Sequence, residues 1–271
     1  MKREFATINK CKIAYFLEGS DRLPVVVLSH ALATRAEIWG YQLPVLASRF
    51  RVLTYDIRGH GMSEAAGEPY TLPLLASDVA GLLEYLNIAH VAFVGLSIGG
   101  MIAQQFALTY PQKLWALVLC STGSVMDDKA KATLQERIAK VSAEGLNAQV
   151  LPTLKRWFTN QFIEEAPCTV HWVSDLILST STGGYVGCCR ALQELDFANR
   201  LSQIQTPTLL IPGAEDAAFP EKSSRIIQDQ IPHSQLAVLQ GAAHLGCVER
   251  AHAFNEILVP FLSTPRLKSS A

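Results

Sequence analysis

Runs of consecutive apolar residues recur along the chain and predict its strands. The run at residues 25–28, Val-Val-Val-Leu, contains no polar side chain, which is typical of a strand buried on both faces of a parallel sheet. Comparable runs predict five further strands, at residues 51–55, 91–94, 116–120, 208–211 and 235–239. Alternating and β-branched residues at positions 7–17 predict a hairpin that precedes all of these strands.

Between several of the predicted strands, apolar residues follow helical spacing. In residues 74–86 they fall on one side of a helix, at Leu75, Val79, Leu82, Leu83 and Leu86. Strands that alternate with helices are typical of an α/β protein, in which helices pack on the faces of the sheet and join its parallel strands. We therefore predict a mostly parallel, doubly wound sheet with helices on both faces.

The alternation of strands and helices stops between residues 124 and 199. The spacing there is helical throughout, as at residues 132–141 and 151–162, and it predicts no strongly buried strand. Because this stretch lies between two predicted strands of the sheet, we interpret it as an inserted helical cap. The expected organisation is a core of residues 1–123 and 200–271 with a cap, or lid, of residues 124–199.

The most informative motif is Gly95-Leu96-Ser97-Ile98-Gly99, which follows a predicted strand and precedes a helical pattern. A serine hydroxyl becomes a good nucleophile only when a base removes its proton and its oxygen is held in the open. A sharp strand-to-helix turn exposes the hydroxyl, and glycines on either side let the backbones approach closely. A glycine-rich turn with an incidental serine would give the same five residues, but the position of the motif favours Ser97 as a nucleophile.

A serine nucleophile in such a turn is followed along the chain by an acid and then by a histidine. Asp216 comes just after the predicted strand at 208–211, and His244 comes just after the last predicted strand. Both would lie at the carboxyl edge of the sheet, next to Ser97. A carboxylate on one ring nitrogen fixes the tautomer in which the other nitrogen accepts the serine proton. We predict a Ser97–His244–Asp216 triad.

Glu215 and the other six histidines are the alternatives for the roles of acid and base. Glu215 precedes Asp216, and we interpret it as a solvated loop charge because its side chain is longer. His233 and His252 are expected at the surface. The remaining histidines precede Asp216 and so break the expected order: His30, His60, His90 and His171. Of these, His60 lies in a glycine-containing stretch that we interpret as a structural loop.

Acyl transfer also needs two backbone N–H groups directed at the negative charge that develops on the carbonyl oxygen. One is expected from Ile98, directly after the nucleophile. The other is expected from Leu32, in the loop after the strand at 25–28. Together these residues predict a serine hydrolase that acts on a small ester or lactone.

The motifs resemble those of the α/β-hydrolases, and the resemblance extends over the whole chain. It rests on Arg58-Gly59-His60-Gly61-x-Ser63, Gly95-x-Ser97-x-Gly99-Gly100, Gly213-x-x-Asp216 and His244. Two strings in the expected cap are less widespread: Arg-Trp-Phe-Thr at 156–159 and Gly-Tyr-Val-Gly-Cys-Cys-Arg-Ala-Leu at 184–192. They are similar to the 3-oxoadipate enol-lactonases of aromatic compound catabolism, in the β-ketoadipate pathway.

The resemblance implies hydrolysis of 3-oxoadipate enol-lactone to 3-oxoadipate through an acyl-enzyme on Ser97. Since this lactone carries a carboxylate, a cation is expected to face the substrate. Arg156 and Arg190 are the candidates, and the alternative is that both are ordinary solvated arginines. Leu134 and Trp157 are further candidates for contact with the substrate.

The chain also departs from the pattern of the lactonases. Leu134 occupies a position where they often carry tryptophan, and His30-Ala31 replaces their usual Asn-Ser. These changes leave the predicted triad intact but bear on the substrate. The alternatives that stay open are a carboxylesterase or another lactonase, a carbon–carbon hydrolase or perhydrolase, and a ligand-sensing receptor with slow or absent turnover.

Composition narrows the range of partners. The formal net charge is −1 and no dense Lys/Arg run occurs, so neither nucleic acid nor an anionic membrane surface is favoured. No apolar run approaches the roughly 20 residues of a membrane span, and the N-terminus is polar where a signal peptide needs an apolar stretch. Nothing implies a metal, nucleotide or flavin cofactor. The six cysteines lack Cys-x-x-Cys spacing and are expected as reduced thiols in the cytoplasm.

Overall fold

A central sheet runs through the protein in the computed structural model, which describes residues 3–66 and 69–264. Within those residues its eight strands are β1 (Glu4–Ile8), β2 (Cys11–Glu18), β3 (Val25–Ser29), β4 (Arg51–Tyr55), β5 (Val91–Leu96), β6 (Leu114–Cys120), β7 (Thr208–Ile211) and β8 (Gln235–Leu236). They lie in the order β1-β2-β4-β3-β5-β6-β7-β8. The β1–β2 and β2–β4 pairs are antiparallel, and the other pairs are parallel.

Eleven α-helices accompany the sheet in the same part of the chain. They are α1 (Leu43–Ala47), α2 (Leu72–Tyr85), α3 (Ile98–Thr109), α4 (Asp128–Glu144), α5 (Asn147–Trp157), α6 (Asn160–Glu165), α7 (Pro167–Leu178), α8 (Thr182–Gln193), α9 (Glu221–Gln228), α10 (Gly246–Glu249) and α11 (Ala251–Ser263). Every residue of β3 and β5 is buried, as expected for central strands covered on both faces. The predicted α/β sheet is confirmed. None of the described helices is long and apolar enough to cross a bilayer.

The predicted hairpin at residues 7–17 is formed by β1 and β2, and both strands extend beyond that range. The chain turns at Asn9 and Lys10, whose φ angles of 46° and 60° are both positive. Two consecutive residues with positive φ give a turn whose twist matches that of the strands on either side. The turn places Ile8 opposite Cys11 and so fixes the register of the pair.

The last strand is shorter than predicted. Of residues 235–239, only Gln235–Leu236 form β8, which lies at the edge of the sheet and pairs with β7 alone. The chain nevertheless stays attached beyond β8, because the N–H groups of Ala237 and Leu239 donate to the carbonyl oxygens of Leu210 and Pro212. This attachment holds the start of the loop that carries His244.

Helices α4 to α8 lie between β6 and β7 in the chain, and we propose that they form the expected cap at residues 124–199. The helical pattern predicted at 151–162 is wrong in one respect, because α5 ends at Trp157 and α6 begins at Asn160. Thr159 is the N-cap of α6, and its side chain accepts a hydrogen bond from the N–H of Phe162.

At the outer ends of the expected core, residues 1–2 and 265–271 lie outside the described residues.

Candidate active site

Ser97 lies in the turn between β5 and α3, with φ +56° and ψ −117°. Positive φ is uncommon for a residue with a side chain, and it is maintained only where the surrounding structure enforces it. Here the enforcement comes from close backbone contacts. A Cβ atom at Gly95 would overlap the carbonyl group of Gly99, and a Cβ atom at Gly99 would overlap the carbonyl of Ser29. Glycine at both positions therefore permits the sharp turn that presents the Ser97 hydroxyl.

His244 and Asp216 are joined by a hydrogen bond of 2.9 Å between Nδ1 and Oδ2. Both side chains are buried, and they come from the loops that follow β8 and β7. The neighbouring Glu215 is exposed, and its N–H donates to the carbonyl oxygen of Ala242. With Asp216 on Nδ1, the ring nitrogen that remains for a proton from a substrate or a nucleophile is Nε2.

The second carboxylate oxygen of Asp216 accepts hydrogen bonds from the N–H groups of Ala218 and Phe219, at 2.8 and 3.0 Å. Burial would raise the pKa of the Asp216 carboxyl, but the charge of His244 and the hydrogen bonds to the carboxylate together outweigh it. The pKa of Asp216 therefore lies below its ordinary value. The carboxyl stays ionised as a partner for the imidazole.

Two aromatic rings flank the imidazole of His244. The ring of Trp157 is stacked on it at 6.0 Å between centroids, and the ring of Phe219 lies at the same distance with an interplanar angle of 30°. Trp157 comes from the end of α5, whereas Phe219 follows Asp216 in the core. The predicted base is thus held between a residue of the proposed cap and a residue of the core.

The two predicted oxyanion donors lie near Ser97 in the chain or in space. Ile98 is the first residue of α3, where a backbone N–H has no acceptor within the helix. Leu32 lines the same cavity as Ser97. The loop that carries Leu32 is held by His30, whose Nε2 accepts a hydrogen bond from the N–H of Ile57 and whose Nδ1 lies 2.8 Å from the carbonyl oxygen of Ala31.

A cavity of about 690 Å³ lies between the core and helices α4 and α5. Its wall contains the predicted site residues Ser97, His244, Leu32, Leu134, Trp157 and Arg156. Asp216 and Ile98 are buried next to residues of this wall. Arg190 does not line the cavity and lies exposed on α8. The structure thus brings one of the two candidate arginines to the cavity and places the other elsewhere.

Arg137 also lines the cavity and is not among the residues predicted from the sequence. It lies three residues after Leu134 on α4, so helical spacing places both on one face. Burial, followed by the charge of Arg137, lowers the pKa of Arg156 to about 10. Neither arginine forms an ion pair with a carboxylate of the described residues. The signal that could have identified Arg137 is this spacing from a residue already suspected of contact with the substrate.

The other histidines lie away from this cavity. His30 and His60 are fully buried, and burial lowers their pKa values to about 4 and about 3, so both are neutral at pH 7. The remaining four histidines are exposed: His90, His171, His233 and His252.

Comparison with known proteins identifies the family. The model of the alpha/beta hydrolase fold matches residues 24–251, so the chain belongs to the α/β-hydrolase family. It is a hydrolase, and it is similar to relatives of more than one specificity.

The 3-oxoadipate enol-lactonase 2 of Acinetobacter baylyi is 32% identical over 253 residues, which cover 93% of this chain and 94% of that protein. The enol-lactonase from Burkholderia xenovorans LB400 has a crystal structure with a TM-score of 0.93 and 33% identity, covering 96% of this chain and 100% of that chain. The structure of a thermophilic esterase from Thermogutta terrifontis matches with a TM-score of 0.90 and 27% identity, and the match covers 97% of this chain and 98% of that chain.

Proposed function

We propose that this chain is a serine hydrolase that opens a small carboxylate-bearing lactone, with 3-oxoadipate enol-lactone as the favoured substrate. The observation that carries the proposal is the 2.9 Å hydrogen bond from His244 to Asp216 at a cavity whose wall also contains Ser97. Ser97, His244 and Asp216 come from three separate loops at one edge of the sheet. This is the arrangement that a serine nucleophile requires.

In the first half of the reaction, Nε2 of His244 takes the proton of the Ser97 hydroxyl as its oxygen attacks the lactone carbonyl carbon. Asp216 holds the ring in the correct tautomer and stabilises the imidazolium that forms. The N–H groups of Ile98 and Leu32 donate to the oxyanion. When the ring ester bond breaks, His244 returns the proton to the enol oxygen, and the acyl group remains on Ser97.

In the second half, water attacks the acyl-enzyme. His244 takes a proton from the water, and the tetrahedral intermediate releases Ser97, which recovers its proton from the imidazolium. The net reaction adds one water molecule to the lactone. The released enol becomes a ketone by moving one proton from oxygen to carbon, which gives 3-oxoadipate. No redox change and no further reactant is needed.

The two arginines Arg137 and Arg156 in the cavity wall favour a substrate that carries a carboxylate. Arg137 and Arg156 face the cavity without a carboxylate partner among the described residues. Partly buried arginines that repel each other gain from an anion placed between or beside them, and the planar guanidinium group matches a carboxylate in geometry. We propose that Arg137, with Arg156, binds the free carboxylate of the substrate.

A carboxylesterase with neutral substrates is the second candidate. It is favoured by Leu134, an aliphatic residue of the cavity wall at a position where the enol-lactonases often carry tryptophan. An aliphatic side chain at this position accommodates neutral acyl groups as well as a lactone ring. Both candidates use the same triad and differ in the cap.

Parallel turnover measurements with 3-oxoadipate enol-lactone and p-nitrophenyl acetate test the proposal. We expect kcat/KM for the lactone to exceed that for the ester by at least about 100-fold, since a matched charge and orientation are worth a few kcal/mol. Similar values for both substrates would support the esterase. Binding without repeated turnover of either substrate would indicate a ligand-sensing receptor.

The expected location in the cytoplasm stays a prediction, and the six cysteines are free in the structure.

A further inference from the structure

Glu249 is a buried acid outside the triad, at the end of α10 and only 7% exposed. Its two carboxylate oxygens face in different directions. Oε2 accepts a hydrogen bond of 2.7 Å from the N–H of Ala243, the residue just before His244. Oε1 accepts two hydrogen bonds from Thr159, at 2.9 Å from its N–H and 2.5 Å from its hydroxyl. One side chain therefore joins the histidine loop to the junction between α5 and α6.

The same junction is attached to the other side of His244. The N–H of Leu245 donates to the carbonyl oxygen of Trp157 at 3.1 Å. The ring of Trp157 is stacked on the imidazole itself. The residues before and after His244 are thus both bonded to the segment 157–159, one of them through Glu249.

We propose that Glu249 is a positioning residue that couples the α5–α6 junction to the imidazole of His244. The inference rests on the proposed function, because it takes His244 as the base. Glu249 does not touch the reacting atoms. It fixes the backbone at Ala243 and thereby the direction from which the imidazole meets Asp216 and Ser97.

The chemistry of the three hydrogen bonds requires an acceptor-only group. An ionised carboxylate offers acceptor sites on both oxygens, whereas the amide of glutamine replaces one oxygen with an NH₂ group that only donates. In a Glu249→Gln variant, a donor would face either Ala243 or Thr159, and a buried N–H would lose its partner. The attachment on one side of Glu249 is then broken while the shape of the side chain is kept.

The experiment compares Glu249→Gln with wild type, using p-nitrophenyl acetate, since a small acyl group makes few contacts with the cap. We measure kcat and KM, the rate at which a fluorophosphonate labels Ser97, and the low-field NMR signal of the proton between His244 and Asp216. We expect kcat and the labelling rate to fall together by about 10- to 100-fold, since a misplacement of about 1 Å can cost about 100-fold in rate. KM should stay within about twofold, and the low-field proton signal should shift or broaden.

Two further variants make the comparison specific. Thr159→Val removes the hydroxyl that both donates to Glu249 and caps α6, and a smaller loss of about three- to tenfold is expected, whereas Thr159→Ser keeps both functions of the hydroxyl and should retain wild-type kcat. The matched control is Glu165→Gln, which makes the same chemical change at an exposed acid of α6 that accepts a surface hydrogen bond from Gln161. It should leave all readouts unchanged. If Glu249→Gln does not fold, the Thr159 pair is judged by the same readouts.

Two results would overturn the inference. One is a lower melting temperature with wild-type kcat and labelling rate, which would make Glu249 a purely structural residue. The other is a raised KM with unchanged kcat, which would place its effect on substrate binding. Failure of the proposed function would look different, because Ser97→Ala and His244→Gln would then retain turnover whatever the outcome at Glu249.

Discussion

The two walls of the cavity are built in different ways. On the core side, a strained backbone turn holds Ser97, and hydrogen bonds to the carboxylates of Glu249 and Asp216 hold His244 and its loop. On the cap side, Leu134, Arg137 and Arg156 project from helices whose positions depend on side-chain packing. We therefore propose that the core wall carries the catalytic chemistry and that the cap wall can change specificity without disturbing it.

The largest effect should come from Ser97, the proposed nucleophile on the core wall. Ser97→Ala removes the attacking oxygen, and we expect kcat/KM for any ester or lactone to fall by at least about 10⁴-fold. Steady-state turnover of both substrates checks this, with circular dichroism to confirm folding. Near-wild-type turnover by this variant would refute the proposed mechanism.

Asp216, the proposed acid on the core wall, should give the next largest effect. Asp216→Asn keeps the shape but leaves His244 in the wrong tautomer, so kcat should fall by about 10⁴-fold. The exposed neighbour provides the control, because Glu215→Gln should retain the wild-type kcat. Rate constants for the two variants on one substrate settle which acid is used, and a larger loss at Glu215 would reverse the assignment.

A change on the cap wall should alter preference rather than chemistry. Arg137→Met removes a charge from the cavity but keeps much of the side chain. We expect the ratio of kcat/KM for the lactone to kcat/KM for p-nitrophenyl acetate to fall by about 10- to 100-fold, with the ester nearly unaffected. Arg190→Met, on the exposed side of α8, is the matched control. An equal loss on both substrates would mean that Arg137 does not bind the carboxylate.

The smallest effect concerns the stability of the core wall in acid. Burial lowers the pKa of His30 to about 4. Between its ordinary pKa of 6.5 and about 4, the unfolded chain therefore binds a proton at this residue that the folded protein does not. Stability consequently falls as the pH is lowered through this range, by about 2 kcal/mol from pH 7 to pH 5 for this group alone.

His30→Asn should remove the contribution of His30 to this pH dependence. The unfolding free energy of the variant should therefore fall less between pH 7 and pH 5 than that of the wild type. Urea unfolding at pH 7 and pH 5 measures the difference. An identical pH slope for both proteins would show that His30 does not remain neutral in the folded state.

The difference between the two walls explains which site residues can be predicted from the sequence. The positions of Ser97, Asp216 and His244 follow from strand ends and from chain order, which are local patterns. Which side chains of the cap face the cavity depends on the rotation of each helix about its axis, so sequence patterns favour Arg190 as much as Arg156 and do not single out Arg137. The role of Glu249 lies beyond local pattern altogether, because its partner Thr159 is 90 residues away in the chain.

The break between α5 and α6 has a similar origin. A period of 3.6 residues continues through residues 151–162, but it carries no information on where hydrogen bonding to another segment will stop a helix. At Phe158 and Thr159 the threonine N-cap and the bonds to Glu249 take the place of further helical turns. Helix ends set by tertiary contacts are therefore the least predictable feature of this chain.

The central claim is that Ser97 is a nucleophile activated by His244. Its most direct test is to label wild type and His244→Gln with a fluorophosphonate and to map the modified residue by mass spectrometry. We predict a single adduct on Ser97 in the wild type and labelling at least about 10³-fold slower in the variant. An adduct on another residue, or equally fast labelling of Ser97 without the imidazole, would contradict the claim.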